Sequence, residues 1–222
     1  MNNPIELFDE ALRHENEEKL AMPHHGKFRA SMLGRCYRAQ FWERKGVPFS
    51  NPLPISVLRT FKIGKLIHEA IEINLDKHRV EQEFEFEHIV FHPDYFDDNC
   101  VYDFKSINIW GFKKMKREDY NVEVDKESYC YQVMTEAVYL ACDYGELIFF
   151  CKDSGETNYD IGKTFRLKTD DWQDRVLVEM DRLKDYWAKG YVPPALPRAF
   201  GGKECNYCGW KTMCNEMELE GR

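Results

Sequence analysis

Several things are missing from this 222-residue chain, and each absence removes a class of protein. No apolar run approaches the roughly 20 residues that a helix needs to cross a bilayer, which excludes a helical membrane protein. The opening residues, MNNPIELFDEALRHENEEK, carry acids where a secretory leader has its apolar stretch, so a cytoplasmic location without membrane association is the expectation. No GxxxxGK[ST] loop is present, so no nucleotide-driven motor is expected. An excess of positive charge is also lacking: 31 Lys and Arg stand against 39 Asp and Glu, a net charge of −8. That argues against broad wrapping of nucleic acid, although phosphates respond to the local charge of a narrow cleft. No histidine follows His92, so a soft-metal site in the remainder must rely on cysteine. Repeats and low-complexity stretches are absent too.

What is present suits one compact globular domain, with 43% hydrophobic and 32% charged residues. Residues 5–20 read as a helix, and a second is expected from a Ser31 cap to about Arg44, ended by Gly46 and Pro48. A third spans about 55–77, with Ile63, Leu66, Ile67, Ala70 and Ile71 inward. The period then changes. VEQEFEFEHIV alternates like a half-exposed strand, and HPDYF and CVYDFKSI read as two strands joined by a turn at Asp97-Asp98-Asn99. Residues 127–142 return to helix, with Tyr131, Met134, Val138 and Leu140 or Ala141 inward. ELIFFCK has the composition of a strand buried on both faces, TFRLK reads as another strand, and 170–189 as an amphipathic helix. Prolines 193, 194 and 197 lead into a loop-rich cysteine tail. The order implies an α/β fold with a central mixed sheet flanked by helices. The organisation expected is a single domain over 1–222: a helical segment 1–60, a core 61–190 and a tail 191–222.

The densest chemistry lies in Asp103-Phe104-Lys105. Alternation places Asp103 and Lys105 on one face of the strand, and the hairpin returns Asp94 towards Asp103. Two adjacent carboxylates repel unless a cation lies between them. A hard divalent ion such as Mg²⁺ or Mn²⁺ suits such a pair, and water acidified by it can attack phosphorus with Lys105 nearby. A surface strand reading Asp-Phe-Lys is equally compatible with the hairpin alone. His68, in Gly64-x-x-x-His68 on the preceding helix, is a neutral imidazole able to complete a metal site, or a packed helix residue. Gln132 reads either as a partly buried polar residue or as a side chain reaching the metal-bound water. The run Lys113-Lys114-Met115-Lys116-Arg117 is a solvated face or a track for a DNA backbone.

The cysteines divide into two groups. Cys100, Cys130, Cys142 and Cys151 sit among apolar neighbours and read as buried small hydrophobes. Cys205-x2-Cys208-x5-Cys214 lies in a polar tail that is too hydrophilic to bury thiols without a metal. Three ligands need a fourth, and Cys36, in SMLGRCYRAQFW, is the partner expected. Zinc competes with an iron–sulfur cluster for this set.

Taken in order, GKLIH (64–68), HPD (92–94), DFK (103–105) and QVMTEAVY (132–139) resemble the PD-(D/E)XK nucleases of the RecB and lambda-exonuclease type. The resemblance runs from about Ser31 to the C-terminus. It implies a restriction-endonuclease-like core over 61–190, with metal on His68, Asp94, Asp103 and the Phe104 carbonyl. It also implies a catalytic Lys105 and an accessory Gln132, with Tyr139, Lys152 and the Lys113, Lys114, Lys116 and Arg117 run on the DNA side. The sequence departs at Phe91, where the family often has glycine, and Asp97 and Asp98 are rivals for the first acid. The split of Cys36 from the tail resembles the iron–sulfur nucleases of the AddB and CRISPR-adaptation type. It implies a [4Fe–4S] cluster on Cys36, Cys205, Cys208 and Cys214, with the tail packed on an N-terminal helix. The implied activity is Mg²⁺- or Mn²⁺-dependent exonucleolytic cleavage of single-stranded DNA or DNA ends, in prokaryotic or phage-infected cytosol. The implied process is phage replication and recombination or CRISPR spacer processing, with a helicase or CRISPR integrase as possible partner. The competing readings are a non-catalytic iron–sulfur DNA-binding subunit of a larger complex and a zinc-stapled protein with no nucleic-acid role.

Overall fold

The computed structural model describes residues 3–22, 25–153 and 161–220. In chain order its first half carries α1 (Pro4–Ala21), β1 (Phe28–Arg29), α2 (Tyr37–Lys45), α3 (Ile55–Glu72), β2 (Phe84–Glu85), β3 (Ile89–Phe91), β4 (Tyr95–Phe96) and β5 (Cys100–Ile107). There follow α4 (Ile109–Met115), α5 (Val122–Asp125), α6 (Glu127–Leu140), β6 (Tyr144–Cys151), β7 (Gly162–Lys168), α7 (Thr169–Ala188) and α8 (Lys211–Leu219). No helix among the described residues is long and apolar enough to cross a membrane.

The main sheet has the order β4-β5-β6-β7. The expected hairpin forms, with Tyr95 opposite Tyr102 and Phe96 opposite Val101. Its turn is held by Asp97, whose Oδ1 accepts from the N–H groups of Asn99 (2.9 Å) and Cys100 (2.8 Å). β5 and β6 run parallel, so the chain must cross over between them, and α4, α5 and α6 fill that connection. β6 is therefore a central strand, which is why ELIFFCK is nearly all apolar. Between α6, α7 and this sheet lie Met134, Leu147, Phe149, Trp172, Met180 and Leu183, all almost fully buried.

Five expectations change. The long alternating strand at 80–90 breaks at Glu87-His88 into β2 and β3, and β3 pairs with both β1 and β2 in a second, three-stranded sheet. The fold-back places Phe84 and Phe86 against Phe91, at 5.7 and 5.8 Å. The second helix begins at Tyr37 instead of Ser31, because Gly34 takes φ +73° against Tyr131. α3 stops at Glu72 and buries only Leu58, leaving Ile63 and Leu66 about half exposed. Its main neighbours among the described residues are α1 and β5. The tail, expected as loop, ends in a helix, α8. On α6 the buried arc is wider than periodicity suggested and takes in Thr135 and Glu136, whereas Ala141 is exposed at the left-handed cap.

Candidate active site and cysteine cluster

Because β4 begins only at Tyr95, the backbone N–H of Phe104 is left for the side chain of the residue before that strand. Asp94 takes that bond through Oδ2, and its Oδ1 lies 3.6 Å from His68 Nδ1 on α3. Asp103, the residue before Phe104 and 1% exposed, pairs through Oδ1 with the Lys105 ammonium. Its Oδ2 is buried without a hydrogen-bond partner. The strand alternation thus places Asp103 and Lys105 together, and Asp94 joins them through the Phe104 backbone. The rivals for the first acid are elsewhere: Asp97 is occupied by its turn and by the Tyr102 hydroxyl (2.8 Å), and Asp98 pairs with Arg79 (2.8 Å) at the surface.

Burial raises the Asp103 carboxyl above the usual range and outweighs the opposing pull of Lys105, with the Asp94 charge adding to the rise. Burial works against the charge on Lys105, but Asp103 and Asp94 more than offset it and its pKa is raised. For His68, desolvation is likewise exceeded by the hydrogen bond and charge of Asp94, so its pKa rises. The result is a dense knot of acids around one buried amine.

Sequence reasoning missed three members of that knot. Glu136, one helical turn beyond Gln132, is 1% exposed with Oε2 unpartnered. Burial, and then Asp103 and Asp94, push it well above the carboxylate range. Glu72, one turn beyond His68, and Glu81 bring ligand atoms to within 4.8 Å of the imidazole and of each other; Asp103 is not part of that triplet. Glu81 is pushed up to about 7 by burial and by the charges of Asp94 and Glu72. The spacing in HEAIE and QVMTE, four residues from an already suspected side chain on the same helix face, is the signal that could have found Glu72 and Glu136. Gln132 and Glu136 line a cavity of about 90 Å³ together with Arg29, Ser31 and His92.

Of the residues expected on the DNA side, Lys113 lies over Trp110, Lys114 pairs with Asp125, Lys116 lies over Phe112, and Arg117 pairs with Asp119. Lys152 leaves β6 beside α4, its N–H bonded to Ile107 O (2.9 Å). Tyr139 is set apart from them, packed on Phe86 (5.0 Å) and Phe91 (6.2 Å).

The cysteines separate as their neighbours suggested, with one exception: Cys100, Cys130 and Cys142 are buried, but Cys151, at the end of β6, is only half-buried. Cys36 caps α2, and its N–H donates to both oxygens of Glu204 (3.1 and 3.0 Å). Glu204, which the sequence did not single out, also accepts from Arg198 N–H (3.1 Å) and Ala199 N–H (3.3 Å), and so ties the tail to the Cys36 turn. Buried Arg38 donates to Cys214 Sγ (3.2 Å) and to the Pro193 carbonyl (2.8 Å), and Leu196 N–H to Cys36 Sγ (3.4 Å). Burial raises the thiols of Cys205 and Cys208, and charge on Cys36 adds to both. The four thiols therefore share one neighbourhood. Yet among the described residues no three of these sulfurs lie within 4.8 Å of one another. Tetrahedral zinc, with Zn–S near 2.3 Å, would draw them to roughly 3.8 Å.

No family model and no curated protein matches the sequence. Solved structures do. The crystallised protein SSO0001 superposes with a TM-score of 0.60 at 15% identity, over 96% of this chain and 98% of that one. An alkaline exonuclease from Laribacter hongkongensis, LHK-Exo, gives 0.50 at 14% identity, over 78% of this chain and 97% of its own. The chain has the fold of a solved exonuclease. An α/β core, a mixed sheet flanked by helices, is thus the architecture shared with these structures. At these identities the likeness concerns the fold, and the chemistry rests on the side chains.

Proposed function

We propose that the chain is a metal-dependent deoxyribonuclease that hydrolyses phosphodiester bonds at DNA ends or in single strands. The observation that carries this reading is the buried Asp103 carboxylate, one oxygen on Lys105 and the other without a partner, next to Asp94 and His68. A buried, unsatisfied carboxylate oxygen is costly unless something occupies the space in front of it. A set of hard oxygen donors with one imidazole fits Mg²⁺ or Mn²⁺. Asp94, Asp103, His68 and the Phe104 carbonyl would hold the ion, which when bound lowers the pKa of a coordinated water and offsets charge on phosphate oxygens. Lys105, paired with Asp103, would donate to the attacking water or to a phosphate oxygen, and Gln132 of α6 would orient the incoming group.

The four thiols of Cys36, Cys205, Cys208 and Cys214 would hold a [4Fe–4S] cluster. Their all-sulfur donor set, with hydrogen bonds onto Cys36 and Cys214, suits either metal centre, and a spread wider than one zinc requires supports the cluster. Its contribution would be to fasten the tail to α2. A helicase or CRISPR integrase partner would supply the unwound end, in phage replication and recombination or CRISPR spacer processing.

The test is cleavage of an end-labelled single-stranded oligonucleotide with Mn²⁺. Lys105→Ala is expected to lower the rate about a hundredfold or more. Undiminished cleavage by that variant would remove the mechanism.

A further inference from the structure

A nuclease must hold the strand on either side of the bond it cuts, and the groups named so far act only at the bond. A second set of side chains continues away from Lys105. Lys105 Nζ lies 5.3 Å from the ring centroid of Tyr129, in the first turn of α6, and Lys126 Nζ lies 5.5 Å from the same ring. Burial lowers the Lys126 pKa, and no hydrogen bond or ion pair to its amine is found among the described residues. The residue before it, Asp125, pairs with Lys114 of α4. Lys114 is four residues from Trp110, which places both on one face of that helix. Trp110 is 79% exposed, although it is the largest apolar side chain on α4, and Lys113 Nζ lies 6.0 Å from its ring. Strand β5 rises roughly 3.3 Å per residue, so Ile107 is about 7 Å beyond Lys105, and α4 begins two residues later. Lys105, Tyr129, Lys126, Lys114 and Trp110 thus follow one another as neighbours, linked by the Tyr129 ring, the Asp125 ion pair and the α4 face.

An amine without an anionic partner beside the catalytic lysine fits a phosphate, and an exposed indole beside a lysine fits a nucleobase. An unpaired DNA strand supplies both at regular spacing; a paired one hides the faces of its bases. We propose that Trp110 stacks an unpaired base of the substrate strand, while Lys126 holds a phosphate between that base and the catalytic centre. This rests on the nuclease reading of Asp103 and Lys105, and adds to it the preference for single strands and the residues that produce it.

Binding of a short oligothymidylate, with Ca²⁺ replacing Mg²⁺ or Mn²⁺ to hold back cleavage, tests the proposal through tryptophan emission and strand anisotropy together. Three of the other four tryptophans, Trp42, Trp172 and Trp210, are buried and Trp187 is partly so, and emission quenched by the strand should therefore come from Trp110. Trp110→Phe should bind within about twofold of wild type without quenching. Trp110→Ala should bind about fivefold more weakly or worse, with little change for a blunt duplex. Lys126→Ala should bind more weakly and flatten the dependence of log affinity on log salt by about 0.7. Quenching that survives in Trp110→Phe, or wild-type affinity in Trp110→Ala, would overturn the platform. Wild-type protein that binds and quenches but never cleaves with Mn²⁺ would instead overturn the nuclease reading and leave the platform standing.

Discussion

Asp103 and Glu136 are both buried acids, yet their surroundings give them different characters. Asp103 has a cation on one oxygen. Glu136 has its Oε2 unpartnered and two other acids facing it, so the fold favours its protonated form. A folded pKa above the ordinary carboxylate value adds stability below that ordinary value and loses it as pH rises through the folded one. Glu136→Gln is neutral at every pH. In the presence of a chelator it should therefore melt close to wild type at about pH 5 and several degrees above it at about pH 8. Equal melting curves at both values would show that Glu136 is not held protonated by its neighbours. The spacing in QVMTE puts Glu136 on the face of Gln132, but its burial is decided by α7 and the sheet packed against α6.

At the scale of elements, α2 does more than its nine residues suggest. It is buried nearly all round. Phe41 meets Trp187 of α7 at 5.3 Å, Trp42 meets Trp210 of the tail at 6.2 Å, and the Trp210 indole N–H donates to the Val47 carbonyl (2.8 Å). Trp210→Ala should cost about 3–5 kcal/mol, the range for a buried Trp or Phe cut to Ala. Limited proteolysis should then open the tail before the sheet. A Trp210→Ala protein whose tail stays as resistant as wild type would show that the thiols alone hold it. The hairpin carrying Asp94, Asp103 and Lys105 was legible because alternation, an Asp-Asp-Asn turn and an apolar partner strand all agree. α8 was not, because its nine residues place cysteine and methionine among polar neighbours and depend on Trp42 and Phe49 for cover.

Across the whole molecule, joining Cys36 to the tail closes a loop containing the four-stranded sheet, β2 and β3 of the other sheet, and α2 to α7. A cross-link across 100 or more residues restrains the unfolded chain by about 4–5 kcal/mol in the chain-entropy picture. At 2–4 °C per kcal/mol for a chain of this size, losing it should lower the melting temperature by roughly 10 °C or more. Brown protein containing iron is the expected preparation, and Cys208→Ser should be paler and melt earlier. A colourless wild type that contains zinc would exclude the cluster.

The order of helices and strands, the face shared by Asp103 and Lys105, and the contrast between scattered and clustered cysteines were decided locally, by side-chain period, turn residues and spacing. Splitting one alternating run into β2 and β3, adding Glu72, Glu81 and Glu136 to the acidic knot, and tying Cys36 to the tail through Glu204 were decided only in three dimensions. Each of these depends on which distant segment covers a given face, and burial by a remote partner leaves no mark in the local pattern of the chain.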